Sequence, residues 1–142
     1  MDSDEIHVDT QTEVIDDSLC LRNDVPVGKL LAMIKILFNQ WNINHIDQAT
    51  LLGMGETEYA MLLFDKFDQT ELENREIPVR IYYLLGINAI LRALFGSSDV
   101  ASRWMLTQNE ALDAMKPIQI IERDGVAGII RMTRYLNFYV FS

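Results

Sequence analysis

The sequence predicts an all-α protein with about seven helices, several of them short. Apolar residues recur at helical spacing from residue 25 onward, whereas the alternation of a half-buried strand is nowhere sustained. Glycine or proline stands at most boundaries between these segments. With 142 residues, 49% apolar and 23% charged, the chain has the size and balance of one globular domain, or of two small lobes that share a core.

Residues 1–24 differ from the rest of the chain in their charge. They hold eight acidic residues and one basic residue, net −7, whereas residues 25–142 hold thirteen acidic and eleven basic residues, net −2. Because apolar residues are also sparse in this segment, we expect an acidic, disordered arm ahead of the folded part. A nearly neutral folded part has no general attraction for nucleic acid or for anionic membranes.

Nothing in the sequence indicates export, membrane insertion or catalysis. The first residues lack the basic and apolar runs of a signal peptide, and the uncharged run 81–91 is too short to span a bilayer, so we expect a cytoplasmic protein. A single cysteine, Cys20, excludes an internal disulfide. With only His7 and His45 beside it, we expect no metal site, no nucleophile–base set, no cofactor and no enzymatic activity.

The first helix is predicted over roughly 26–41, because Asp24 can cap it and Pro26 suits a first helical turn. After a break, Asn44 is expected to cap a short helix. Gly53 then supplies the left-handed residue that ends this second helix.

A third helix over 57–67 follows, and the two short helices together have the pattern of a helix-turn-helix. Ala49 is small enough to let the third helix cross closely, and the glycine makes the sharp turn. Such corners are also common in ordinary all-α proteins, so both interpretations stay open at this point. Contacts to DNA would come from Thr57, Tyr59 and Lys66.

Charge argues against strong DNA binding by this third helix. Glu56 and Glu58 begin it, where a phosphate backbone would lie, and Lys66 is its one basic residue. Residues 25–70 as a whole carry three lysines against five acidic residues, net −2. We therefore expect free DNA affinity to be weak and strongly salt-dependent.

Pro78 opens a long helix over 78–95, which Gly96 ends. Its apolar residues cover most of its circumference, and such a helix is central in its fold. The C-terminus, 138–141, is apolar as well. Because a monomer of this size would struggle to hide both surfaces, we expect at least a homodimer.

Beyond residue 96 the chain predicts short helical elements, each introduced by a capping or helix-starting residue. They are Ser98 before a helix over 99–105, Thr107 before a capping box or polar turn through Glu110, Pro117 before a turn through Glu122, and Asp124 before the last helix over 125–140.

The order of motifs in this last third resembles the toxin-binding domain of the Xre/MbcA/ParS antitoxins, also described as DUF2384-like. The motifs are Ala101-Ser102-Arg103-Trp104-Met105, Thr107-Gln108-Asn109-Glu110-Ala111-Leu112, Pro117-Ile118 and Asp124-Gly125. In that family a tryptophan-bearing short helix precedes a polar turn with asparagine, a proline-initiated helix and a glycine-started final helix. Upstream, Trp41, Ala49, Leu52-Gly53 and Tyr59 before the long helix are similar to the family's Xre-like helix-turn-helix domain.

The resemblance covers roughly 26–140 and implies a bacterial type II antitoxin. Its partner would be a RES-type toxin, which consumes NAD or uses it to ADP-ribosylate a target, and whose NAD pocket the antitoxin's C-terminal segment would occlude. The helix-turn-helix domain, as a dimer, would repress the operon. The implied domains are 25–70, a connecting helix within 71–96, and a toxin-binding lobe over 97–142. The implied toxin-binding residues are Trp104, Asn109, Pro117, Gly125, Arg131 and Arg134.

Each of these residues also has an ordinary structural interpretation. Trp104 is most often core, and Asn109 and Pro117 are most often turn residues. Arg131 and Arg134 share one side of the last helix, where they would meet an acidic toxin rim, stay solvated, or pair with a neighbouring acid such as Glu122 or Asp124. Two other functions stay open, a DNA-binding transcriptional regulator without a toxin and an orphan dimeric scaffold.

Overall fold

A computed structural model describes residues 25–64, 68, 71–72 and 76–141, and the side chains of these residues up to Phe138. The helices with defined bounds are α1 (Val27–Gln40), α2 (His45–Leu52), α3 (Glu56–Leu63), α4 (Ile77–Phe95), α5 (Ser98–Met105), α6 (Pro117–Asp124) and α7 (Val126–Phe141). A 3₁₀ turn, Glu110–Leu112, lies between α5 and α6. These ranges contain one isolated bridge, Asn109 with Met115, and no strand, so the predicted all-α class is confirmed.

The helix ends follow the predicted signals in most places. The side chain of Asn44 accepts a hydrogen bond from the Asp47 backbone N–H at 2.8 Å, and Gly53 and Gly96 end their helices with φ of 73° and 77°. One predicted cap is wrong by a residue. Ser97, not Ser98, caps α5, because its Oγ accepts from the Val100 N–H at 3.2 Å.

Two further capping predictions need correction. The segment from Thr107 to Glu110 is a polar turn and not a capping box, since the Thr107 hydroxyl donates back to the Arg103 carbonyl at 2.5 Å. Asp124 is the last residue of α6, and its carboxylate binds arginine side chains. The acidic arm and its Cys20 lie outside the described residues.

One hydrophobic core joins the helices of both predicted lobes. The fully buried positions come from α1, α4 and α7 alike, and α4 packs against α1, α2, α5 and α7. The expectation that the long helix is central is therefore confirmed. Representative core residues are Ile34, Phe38, Ile81, Leu84, Leu91, Ile129 and Met132. Burial of an aliphatic side chain of this size contributes about 1.5–3 kcal/mol.

A buried hydrogen bond also links the two halves. Ser102 Oγ donates to the carbonyl of Trp41 at 2.7 Å, across 61 residues of sequence. Helix α2 in turn contacts α6. The predicted boundaries near residues 70 and 96 therefore do not separate two cores.

Within the described part of the chain, α4 alone has the length and apolar composition of a membrane span. It has 19 residues, and 18 of them have a mean hydropathy of 1.3 and are 39% buried. The uncharged run 81–91 is shorter than this helix because Arg80 and Arg92 lie inside the helical range. Since one side of α4 fills the core, we interpret it as a core helix.

Candidate functional site

The corner between α5 and α7 is held by two stacked aromatic rings. Trp104 is half-buried, and its ring centroid lies 6.4 Å from that of Tyr135 on α7, with the planes 24° apart. Offset stacks of this kind contribute about 0.5–1.5 kcal/mol beyond the area they bury. Trp104 thus anchors the short α5 to the last helix, and part of its surface stays accessible.

Asn109 organises the loop that follows α5. Its side-chain Oδ1 accepts from the Ala111 N–H at 2.9 Å, and its backbone N–H donates to the Met115 carbonyl at 3.1 Å. Its own carbonyl accepts from Leu112 and Ala114. One asparagine therefore closes the loop on itself, as its turn interpretation predicts.

Two consecutive residues of this loop have left-handed backbone conformations. Asp113 has φ of 58° and Ala114 has φ of 63°, and both are exposed. For residues other than glycine this conformation is strained and persists only where surrounding contacts fix it. The hydrogen bonds of Asn109 supply those contacts, so the segment 107–116 is an ordered, polar surface loop.

The loop leads into α6 through a proline and a backbone cap. Pro117 is buried at the first position of α6, where its missing N–H costs nothing. The side chain of Gln119 accepts from the Lys116 backbone N–H at 2.9 Å. Because Pro117 is buried, the structure gives it a role in shaping the lobe and not in direct toxin contact.

Helices α6 and α7 meet at Gly125 and cross closely at Gly128. Gly125 has φ of 63° and ψ of −134°, a region that side-chain-bearing residues avoid. At Gly128 an added Cβ would lie 2.6 Å from the Ile120 carbonyl oxygen and 3.1 Å from the Ile121 Cα. Two backbones therefore touch at Gly128, and only glycine fits there.

Arg80 joins this corner to the corner between α2 and α3. Its side chain is 15% exposed, and Nη1 donates to the Leu51 carbonyl at 3.3 Å. A Cβ added at Gly53 would lie 2.9 Å from Arg80 Cζ, and one added at Gly125 would lie 3.1 Å from Nη2. The guanidinium group thus lies against both glycine turns.

The outer side of the α6–α7 corner carries arginines around one carboxylate. Asp124 accepts from Arg123 Nε at 2.8 Å and Nη2 at 2.9 Å, and it also pairs with Arg131. Hydrogen bonding from Arg123 is the main reason why the pKa of Asp124 is lowered to about 2. Arg123 further contacts the sulfur of Met115 at 3.3 Å, which ties the cluster to the end of the loop. Arg134 is exposed one turn beyond Arg131.

A pair of carboxyl groups, Asp47 and Glu122, lies where α2 contacts α6. Burial, followed by a hydrogen bond and charge repulsion from Asp47, raises the pKa of Glu122 to about 7. Glu122 Oε2 is buried without a hydrogen-bond partner. Lys116 acts in the opposite direction, since its charge favours the ionised form. The contact between α2 and α6 therefore includes the carboxyl group of Glu122, whose pKa is near neutral.

The α2–α3 corner is held by a chain of hydrogen bonds that starts at Tyr59. Tyr59 is 2% exposed, and its hydroxyl donates to Gln48 Oε1 at 2.5 Å. Gln48 Nε2 then donates to the Ile43 carbonyl at 2.7 Å, and the ring of His45 packs edge-on against Tyr59. Burial raises the pKa of Tyr59 to about 12. The prediction of Tyr59 as a DNA contact is thereby corrected, because the side chain is in the core.

The exposed surface of this corner is acidic and apolar. Thr57 is exposed as predicted for a contact residue, while Lys66 lies outside the described residues. Beside α3, a groove of 590 Å³ is lined by Met54, Thr57, Glu58, Met61, Asp68, Glu71 and Leu72. Carboxylates around such a groove oppose a phosphate backbone, and weak DNA binding stays a prediction.

The predicted toxin-binding residues thus divide into two groups. Trp104, Arg131 and Arg134 offer surface, while Asn109, Pro117 and Gly125 shape the backbone. Sequence reasoning missed Arg80, Gly128 and the pair of Asp47 with Glu122. Arg80 carried a signal, since it is one of two charges in a helix that is otherwise uncharged. Across the described residues, no cluster of three or more histidine, cysteine or acidic side chains could hold a metal ion.

Residues 91–137 match the family described as the antitoxin Xre/MbcA/ParS C-terminal toxin-binding domain. No curated protein and no solved structure matches the chain. The matched segment runs from the last turn of α4 through α5, the Asn109 loop and α6 into α7. The match confirms the predicted resemblance to this antitoxin family, supports a toxin as the binding partner and indicates a regulatory protein.

Proposed function

We propose that this protein is the cytoplasmic antitoxin of a type II pair and neutralises a RES-type toxin that consumes NAD or transfers its ADP-ribose. Neutralisation would occur by occlusion, with the C-terminal part covering the toxin's NAD pocket. The observation that carries this proposal is the family match over residues 91–137. The match covers both the ordered loop 107–116 and the arginines that surround Asp124.

The order of the Asn109 loop supports occlusion. A pocket for a dinucleotide is concave, and a concave site is blocked best by a projecting element that loses little entropy on binding. Segment 107–116 meets this requirement, because hydrogen bonds from Asn109 and the left-handed pair Asp113 and Ala114 fix its backbone. The toxin would then meet a surface whose shape exists before binding.

The arginines of α7 supply the charge for the proposed contact. Arg131 and Arg134 are exposed on one side of the helix, and Asp124 holds Arg131 in place. A fixed guanidinium fork pairs with carboxylates in two parallel hydrogen bonds, which suits an acidic pocket rim. Trp104, which is half-buried and stacks on Tyr135 of α7, would add apolar surface to the contact.

We further propose a homodimer that represses its own operon only weakly in the absence of toxin. The α2–α3 corner has the glycine turn of a helix-turn-helix, yet Glu56 and Glu58 occupy the first turn of its second helix. The two carboxylates of that turn reduce phosphate attraction, so operator binding would require the added contacts of a second subunit or of bound toxin. Nanomolar binding of the isolated protein to its own promoter at physiological salt would contradict this.

Neutralisation is tested by co-expression with the toxin encoded beside this protein, with growth as the readout. We expect Arg134→Glu to weaken toxin binding about tenfold and the double change with Arg131→Glu to abolish rescue, since like charges then face the pocket rim. Lys29→Glu, an exposed charge reversal on α1, is the matched control and should rescue fully.

A purified complex provides the second readout. The full-length protein should inhibit NAD consumption by the toxin at equal stoichiometry, and the double arginine variant should not, while circular dichroism shows that it remains folded. Removal of α7 is not informative, because Ile129, Met132 and Leu136 of that helix are core residues. Full inhibition by the double variant would contradict occlusion by α7.

A further inference from the structure

The contact between α2 and α6 includes a hydrogen bond between two carboxyl groups. Asp47 lies in the first turn of α2, which the Asn44 side chain caps, and Glu122 lies near the end of α6. Both residues are half-buried, and a hydrogen bond joins their side chains. Because ionised carboxylates only accept hydrogen bonds, this bond exists only while one of the two groups holds a proton.

The positions of the two residues in their helices determine which of them holds the proton. The N-terminal end of a helix favours a negative charge and the C-terminal end disfavours one. Asp47 is therefore favoured in its ionised form and Glu122 in its neutral form, and burial acts on Glu122 in the same direction. Glu122 thus donates the hydrogen bond, and Asp47 accepts it.

The charged groups that act on Glu122 are Asp47 from α2 and Lys116 at the start of α6. Helix α6 packs against α2, α5 and α7, and its own Arg123 and Asp124 pair with each other. The other charged residues of those three helices are exposed, namely His45, Asp99, Arg103, Arg131 and Arg134. Lys116 is therefore the cation that offsets an ionised Glu122, and its influence is smaller than that of Asp47.

Ionisation of Glu122 replaces the hydrogen bond by two negative charges. One oxygen of Glu122 bonds to Asp47, and the other, Oε2, is buried with no partner among the described residues. A buried charge without a donor is costly, and like charges within hydrogen-bond reach repel each other. Both costs fall when the two carboxylates move apart.

The start of α2 is the part that can make this movement. His45 and Ile46 are exposed beside Asp47, whereas Leu51 and Leu52 hold the other end of the helix in the core. An exposed first turn has few buried contacts to lose, and such segments open locally without global unfolding.

We propose that Asp47 and Glu122 form a proton-controlled latch, which holds the start of α2 against α6 while they share a proton and releases it when both are ionised. Burial and the contact with Asp47 raise the pKa of Glu122 to about 7, so the latch changes state near neutral pH. Toxin binding does not enter this inference, and growth rescue tests the antitoxin proposal separately.

Proton linkage gives the size of the expected effect. The pKa of Glu122 is about 7 in the latched state and has its ordinary value of 4.5 once the carboxylates are apart. The released state therefore becomes more favourable as the pH rises between these values, and the gain levels off above 7. Between about pH 6 and about pH 8, the equilibrium constant for release should rise about tenfold.

Hydrogen exchange of backbone amides tests the latch, measured by NMR on the full chain and corrected for the intrinsic rate at each pH. The Gln48 amide reports on the start of α2, because it donates to the Asn44 carbonyl at 2.9 Å. Its protection should fall about tenfold between about pH 6 and about pH 8. Low urea should leave this protection unchanged, because a local opening exposes little surface, whereas the amide of the core residue Leu84 should respond to urea.

Two variants keep a hydrogen-bond donor at the pair and remove one charge. Glu122→Gln and Asp47→Asn should each abolish the pH dependence of the Gln48 amide, while Glu110→Gln, at an exposed carboxyl, is the matched control and should retain it. Circular dichroism checks that each variant is folded. Constant protection in the unchanged protein, a fall that persists in either pair variant, or equal urea dependence of the Gln48 and Leu84 amides would each overturn the proposal.

Discussion

Two helix corners lie on either side of Arg80, and both turn at a glycine of positive φ but are opposite in surface charge. The α2–α3 corner turns at Gly53 and the α6–α7 corner at Gly125, with φ of 73° and 63°, and both glycines lie against the same guanidinium. The first corner exposes carboxylates along α3, whereas the second exposes arginines around Asp124. The backbone corner alone therefore does not specify the class of partner, and the side chains on its surface do.

The two corners also differ in what holds them closed. The α2–α3 corner depends on side chains, through the hydrogen bonds from Tyr59 to Gln48 and on to the Ile43 carbonyl. The α6–α7 corner depends on backbone contact at Gly128, where no side chain fits. A backbone contact cannot relax by changing a rotamer, so the α6–α7 corner should tolerate substitution less.

The largest effect is expected from Gly128→Ala. We expect the free energy of unfolding to fall by about 3 kcal/mol, the upper end of the range for overpacking, because the added carbon meets backbone atoms of α6. Gly86→Ala is the matched control, since this helical glycine has open space around it, and it should raise stability by about 0.5–1 kcal/mol.

Urea denaturation measures both values, at concentrations where light scattering gives the same mass for each variant. Equal stabilisation by the two alanines would show that α6 and α7 do not meet at Gly128. The α6–α7 corner would then be no more sensitive to substitution than the α2–α3 corner.

The next largest effect is expected from Arg80→Met, which keeps the length of the side chain and removes the guanidinium. The loss of its hydrogen bond to the Leu51 carbonyl should cost about 1.5 kcal/mol. Arg80→Lys should recover little of this, because an ammonium group lacks the flat fork that fits against Gly53 and Gly125. Arg103→Met, at an exposed site, should stay within about 0.5 kcal/mol of the unchanged protein in thermal melts.

The smallest effect is a pH dependence that has opposite signs for two carboxyl groups. The pKa of Glu122 is raised from 4.5 to about 7, so between these values the folded protein keeps a proton that the unfolded chain has released. Its contribution to stability therefore falls as the pH rises through this range. Glu122→Gln should raise the melting temperature above pH 7 and have little effect below pH 4.5.

Asp124 should behave in the opposite way. Its pKa is lowered from 3.8 to about 2, so its contribution is present above pH 3.8 and is lost as the pH falls through 2. Asp124→Asn should therefore lower the melting temperature at neutral pH and not below pH 2. A Glu122→Gln gain that is the same at all pH values would contradict the raised pKa of Glu122.

Most of the fold was predictable from local signals. Asn44, Gly53 and Gly96 determine helix ends through their own backbone and side-chain chemistry, so a single sequence is enough to place them. Ser97 and Ser98 show the limit of such signals, because two adjacent serines are equivalent as caps until the backbone selects one. The shared core was less predictable, since helical spacing shows which side of a helix is buried but not against which partner.

The candidate site was predictable only where a residue acts within its own segment. Asn109 and Pro117 shape the turn in which they occur, and the turn interpretation described them well. Tyr59 was misjudged because its hydroxyl finds Gln48 eleven residues earlier, on the neighbouring helix. Arg80 and Glu122 depend on separate elements meeting in space, and no periodicity in one sequence encodes that meeting.

The hydrogen bond from Ser102 to Trp41 has a consequence for the order in which the chain folds during synthesis. A buried carbonyl requires a partner, and that of Trp41 receives its partner only after 61 further residues have been added. The α1–α3 segment is therefore synthesised before the Trp41 carbonyl has its hydrogen-bond partner. We infer that packing around the end of α1 is completed only when α5 arrives.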